Sequence, residues 1–93
     1  MQQQEYKQLI LPILKRHMIK HAAIFGSVAK GTSTFKSDLD LLIEPADNFT
    51  LFSMLELERE IAAALNCKVD LVEYSALKAS IKNEVLQTAV TIL

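Results

Sequence analysis

A chain of 93 residues, 51% hydrophobic and 23% charged, has ordinary globular composition, and its length predicts one domain over residues 1–93 with a single core and at most a shallow cleft. Ten Lys and Arg against eleven Asp and Glu leave a net charge of -1, so no broad basic field is available to hold long DNA or RNA. Cys67 is the single cysteine and the longest apolar run, Leu9 to Leu14, is six residues. An intramolecular disulfide is excluded, a membrane span of about 20 residues is not present, and Met1 to Glu5 lacks a basic signal start, so a cytoplasmic protein is expected.

From about Gln3 to Lys20, apolar residues at Tyr6, Leu9, Ile10, Ile13, Leu14 and Met18 recur three and four apart, the spacing of an amphipathic helix. Pro12 should bend or restart it, because proline lacks the N–H that helix hydrogen bonding uses. His21 to Phe25 is a short apolar run ended by Gly26-Ser27 and predicts a buried strand feeding a tight turn. Residues 28 to 36 are small and polar and allow at most a short helix. Leu39 to Glu44 predicts a second strand, and Pro45 to Asn48 a turn.

Asn48 or Thr50 is placed to cap the next helix, with an apolar stripe of Leu51, Met54, Leu55, Ile61, Ala62 and Leu65 interrupted by Glu58 and an end near Asn66. Lys68 to Tyr74 is rich in strand formers. After Ser75, the residues Leu77, Ile81, Val85, Leu86, Ala89 and Ile92 fit one face of a last helix. The order α-β-(short α)-β-α-β-α predicts an α/β (α+β) fold, a small three-stranded mixed sheet covered by helices. No internal repeat or low-complexity segment occurs.

The chemistry concentrates between Gly26 and Leu41. Gly26-Ser27 stands where a strand should turn into a helix, so backbone N–H groups and the Ser27 hydroxyl could converge on a phosphate; a plain turn with Ser27 as helix cap explains the same pair. Asp38 and Asp40 are two apart at the start of a strand, which sets both carboxylates on one face. Such like charges repel unless a cation offsets them, and Mg²⁺ takes oxygen ligands of this kind; the alternative is one capping Asp beside a solvated one. Asp70, inside Val69-Asp70-Leu71, is a carboxylate in an apolar strand, where its residue type is depleted. If its strand neighbours that of Asp40, three carboxylates meet; otherwise Asp70 sits at an edge and pairs with Lys68 or Lys78.

The run Gly26-Ser27-Val28-Ala29-Lys30-Gly31, then five residues, then Ser37-Asp38-Leu39-Asp40-Leu41, resembles the signature of the minimal nucleotidyltransferase family of the DNA polymerase β superfamily. Val69-Asp70-Leu71 matches that family's third carboxylate, so the likeness covers most of the chain. It implies a polymerase β palm-like core and a nucleoside triphosphate, ATP by analogy, bound against Gly26, Ser27 and Lys30. It further implies one or two Mg²⁺ held by Asp38, Asp40 and Asp70, and transfer of a nucleoside monophosphate to a hydroxyl. Lys30 stands where the family more often has Arg and offers charge without the planar two-pronged fork. Members of this family are often the antitoxin of a toxin–antitoxin pair, so the resemblance implies a HEPN-type toxin as partner and acceptor; self-association is left open.

Other features have plainer readings. His17 and His21 are four apart as metal ligands can be, but no third ligand is evident. Cys67 fits a packing residue. Val90, Ile92 and Leu93 could pack on another protein. The alternative function, from a different class, is a binding module that neutralises a partner by contact alone. An intact set of three mutually repelling aspartates argues for catalysis instead.

Overall fold

The structure, a computed structural model, describes residues 3–26 and 39–93. The expected short helix over 28–36 lies outside the described residues. Helix α1 spans Gln3–Arg16, strand β1 His21–Phe25, β2 Leu39–Glu44, helix α2 Leu51–Leu65, β3 Val69–Glu73, a single 3₁₀ turn Tyr74–Ala76, helix α3 Ala79–Thr88 and strand β4 Val90–Thr91. Among the described residues, no helix is long and apolar enough to cross a membrane.

Helix α1 continues through Pro12 and stops at Arg16, four residues short of the expectation from periodicity. Its terminus is a Schellman cap. Met18 takes a left-handed conformation with φ 60, the Met18 N–H donates to the Lys15 carbonyl at 3.0 Å, and the Ile19 N–H donates to the Leu14 carbonyl at 3.0 Å. Leu14 and Ile19 are both buried and close the cap's apolar contact. The sequence hides this stop because methionine occupies the position that glycine normally marks.

Thr50 caps α2: the Ser53 N–H donates to Thr50 Oγ1 at 3.2 Å while the Thr50 N–H donates to Ser53 Oγ at 3.2 Å. At the other end Asn66 is left-handed, φ 53, and donates its N–H to the Ala62 carbonyl. The buried stripe is Leu57, Ile61 and Leu65, with Met54 and Ala62 packed beside it. Leu51 and Leu55, expected on that stripe, are 72% and 53% exposed. Helix α2 carries two overlapping apolar arrays, and the one that meets α1 and the sheet wins; Arg16 of α1 pairs with Glu60 of α2 across the junction.

Among the described residues the sheet has four strands in the order β3-β2-β1-β4 rather than the expected three. Strands β1 and β2 are antiparallel, β2 and β3 parallel, and β4 runs antiparallel to β1. The fourth strand is only Val90–Thr91, paired with Ile24 and Ala23, too short to break the helical periodicity that predicted a helix through Ile92. Ile92 donates its N–H to the Ala22 carbonyl at 2.9 Å and is buried in the core, so it serves this chain's own interior and not an outside partner.

Pleating divides the sheet into two faces. Ala22, Ile24, Leu41, Ile43, Leu39 and Val69 join Ile10 and Leu14 of α1 and Leu57 and Ile61 of α2 in the main core. The opposite face carries Ala23, Phe25, Asp40, Leu42, Asp70 and Val72, by the strand registers. Leu42 is fully buried there and Ala23 nearly so.

Candidate active site

Two neighbouring strands and one turn build the site. Strand β2 is anchored at its start by the Leu39 N–H, which donates to the Lys68 carbonyl at 3.0 Å. That bond sets the parallel register Leu39↔Val69 and Asp40↔Asp70. The two aspartates therefore lie directly opposite each other on one face, with Cβ atoms about 5 Å apart, as is usual for paired positions on adjacent strands. The condition set by the sequence, that the Asp70 strand neighbour that of Asp40, is met.

On the other side of Asp40 the register partner is Phe25, and the chain then turns at Gly26. Gly26 has φ +75, and a Cβ added there would lie 2.3 Å from Asp40 Oδ2 and 3.2 Å from Asp40 Cγ. The glycine thus has two roles: it allows the left-handed turn and leaves room for the Asp40 carboxylate. The sequence suggested the first; nothing in it shows the second, which depends on the pairing of β1 with β2.

Asp40 is half-buried and Asp70 exposed. Among the described residues Asp70 makes no ion pair with Lys68 or Lys78, the role offered for it as a plain edge residue. Both carboxylates open into a cleft of about 390 Å³ between the sheet and the segment leading into α3; its apolar walls include Phe25, Val72, Leu77 and Val85, and Lys78 lines it too. Phe25, Val72, Leu77 and Val85 carry no sequence signal for a site, since each reads as an ordinary core or helix-face residue. In the sequence Lys78 reads only as a candidate ion-pair partner of Asp70.

Ser27, Lys30 and Asp38 lie outside the described residues, so of the predicted site residues Gly26, Asp40 and Asp70 are those seen to come together. Among the described residues no three His, Cys, Asp or Glu side chains form a group able to hold a metal. His17 approaches Glu60 at 3.4 Å and His21 approaches Glu44 at 3.5 Å, on different elements. Cys67 is half-buried against the core, as a packing residue should be.

The profile of the family described as polymerase beta, nucleotidyltransferase matches residues 8–93. The chain belongs to the polymerase β nucleotidyltransferase family. That membership makes it a nucleotidyltransferase. A Methanocaldococcus jannaschii chain inferred to be a protein adenylyltransferase is 35% identical over 89 residues, covering 96% of each chain. Among solved structures, a toxin–antitoxin complex with AMP-PNP contains a chain that superposes with a TM-score of 0.81 at 25% identity, over 94% of this chain and 72% of that one. A complex of a tri-AMPylated Shewanella oneidensis HEPN toxin with its MNT antitoxin shares the fold, with a TM-score of 0.75 at 22% identity over 98% of this chain and 71% of the other.

Proposed function

We propose that this nucleotidyltransferase moves AMP from ATP to a hydroxyl on a partner protein, a HEPN-type toxin that it thereby restrains, and that residues 1–93 form a single minimal nucleotidyltransferase domain. The observation that carries this reading is the in-register Asp40–Asp70 pair beside Gly26, facing an open cleft. A fold kept for contact alone has no use for two like charges directly opposite each other, an arrangement that disfavours the sheet. The protein adenylyltransferase relative and the AMP-PNP and HEPN complexes support adenylyl transfer as the reaction.

Asp40 and Asp70 offer hard oxygen donors close together, a donor set that suits Mg²⁺, with Asp38 two residues before Asp40 in sequence as the third member. When bound, Mg²⁺ supplies charge neutralisation for the triphosphate and acidifies a nearby hydroxyl. Gly26 and Ser27 hold the triphosphate against the turn, and Lys30 adds charge. Asp70 accepts the proton of the acceptor hydroxyl as its oxygen attacks the α-phosphorus; the new O–P bond forms as the bond to the bridging oxygen breaks, and pyrophosphate leaves. Positioning and charge stabilisation do most of this work, as in phosphoryl transfers generally. A cleft this open needs its acceptor brought by a partner.

Intact-mass analysis of the HEPN-type protein incubated with this chain, ATP and Mg²⁺ tests the reading. An adenylyl adduct that disappears with Asp40→Asn is expected. A stable complex with no adduct, unchanged by Asp40→Asn, would instead establish the contact-only module.

A further inference from the structure

The cleft is charged on both walls, but with opposite signs. The sheet side presents Asp40 and Asp70, and the segment entering α3 presents Lys78, the one cation that lines the cleft among the described residues. Among the described residues nothing gives the Lys78 side chain a role in the fold. It is exposed, and its ammonium makes no ion pair among the described residues. It occupies the N-cap position of α3 without a side-chain cap, and the first turn contains no acidic residue. A positive charge at that end of a helix opposes the helix dipole, so the local structure is better off without it. Nor does it neutralise Asp70, although both line the same cleft.

We propose that Lys78 is a phosphate-binding residue that grips the non-bridging oxygens of the β- and γ-phosphates, the group that leaves as pyrophosphate. The inference rests on the nucleotide-transfer reading above. A triphosphate brings several negative charges into a cleft whose sheet wall is itself negative. The aspartates would hold a cation that offsets charge on that wall, and the opposite wall needs its own positive group. Lysine, a compact charge on a flexible stem, suits phosphate oxygens without demanding fixed geometry. Negative charge grows on the leaving group as the bond to the α-phosphorus breaks, so the contact strengthens in the transition state and contributes to kcat as well as to binding.

The test compares wild type, Lys78→Ala, Lys78→Arg and Lys82→Ala, the last removing an equal charge one turn further along α3. Binding of AMP-PNP and of AMP with Mg²⁺ is measured by calorimetry, and transfer kinetics with ATP follow. Lys78→Ala should weaken AMP-PNP binding on the order of tenfold, the effect of losing one charge-assisted contact, and leave AMP binding unchanged. It should also lower kcat, with Lys78→Arg recovering most of both losses and Lys82→Ala behaving as wild type. Thermal melts of Lys78→Arg and Lys82→Ala should match wild type, and Lys78→Ala should melt no lower, since it removes a charge that opposes the helix dipole. Equal weakening for AMP and AMP-PNP, or an equal loss in Lys82→Ala, would overturn the assignment. If wild type binds AMP-PNP but transfers nothing to any acceptor, the transfer reading fails, while the AMP-PNP and AMP comparison still decides the role of Lys78 in phosphate binding.

Discussion

Replacing Gly26 with alanine puts a methyl group 2.3 Å from Asp40 Oδ2, where the backbone stands at φ +75. Two costs follow. A side chain in the left-handed region costs about 1–2 kcal/mol, which in a domain this size lowers Tm by about 5–10 °C. The carboxylate must also retreat by about 1 Å to restore ordinary contact, and a 1 Å misplacement of a reacting group costs about a hundredfold in rate. Asp40 is the flexible partner in this clash, because the overlap falls on its carboxylate and eases towards Cγ at 3.2 Å and Cβ at 3.4 Å. Gly26→Ala should therefore fold, melt somewhat earlier and lose far more activity than stability. Thermal melts paired with transfer kinetics below the lower Tm would check this. A variant that keeps kcat/KM within about threefold of wild type would refute the idea that Gly26 makes room for a working Asp40 carboxylate.

Asp70→Asn removes one of two directly opposed like charges; transfer should fall on the order of a hundredfold or more while stability is unchanged or rises by about 0.2–1 kcal/mol, read from kinetics and urea titration of the same preparation. Met18→Gly places glycine where φ is 60 and the side chain is 72% exposed, and should stabilise the protein by about 0.5–1 kcal/mol in urea unfolding. Both tyrosines titrate above 10.0: burial raises Tyr6, with Cys67 and Glu5 adding repulsion, and burial raises Tyr74, with Glu44 adding repulsion. The folded phenols hold their protons longer than the unfolded ones. Their contribution to stability is therefore intact below about pH 10 and is lost as pH rises through the folded values. Phenolate absorbance should show a delayed rise, and Glu44→Gln should bring the Tyr74 step earlier.

Hydrophobic patterning is enough to place helices α1 to α3 and strands β1 to β3 of the described residues, because each of those segments keeps one period over several residues. The misreadings share a physical cause. Met18 ends α1 by a backbone conformation, and Val90–Thr91 forms a strand of two residues; neither leaves a periodic trace. Leu51 and Leu55 obey helical spacing as well as Leu57 and Ile61 do, and only tertiary packing decides which pair is buried. For the site, the likeness of the run from Gly26 to Leu41 and of Val69-Asp70-Leu71 to the family's signature implies the chemistry; taken alone, the same residues also fit a plain turn and solvated edge carboxylates. Strand register alone puts Asp40 opposite Asp70, and the path of the chain into α3 brings Lys78 to the same cleft, so that wall of the site was invisible in the sequence.

Adenylyl transfer by the Asp40–Asp70 site is tested with ATP labelled at either the α- or the γ-phosphate, with Mg²⁺ and the HEPN-type partner, for wild type and for a variant carrying both Asp40→Asn and Asp70→Asn. The α label should move to the partner with wild type alone, while the γ label leaves as pyrophosphate in every reaction that transfers. Label arriving from the γ position, or α label transferred equally well by the double variant, would contradict it.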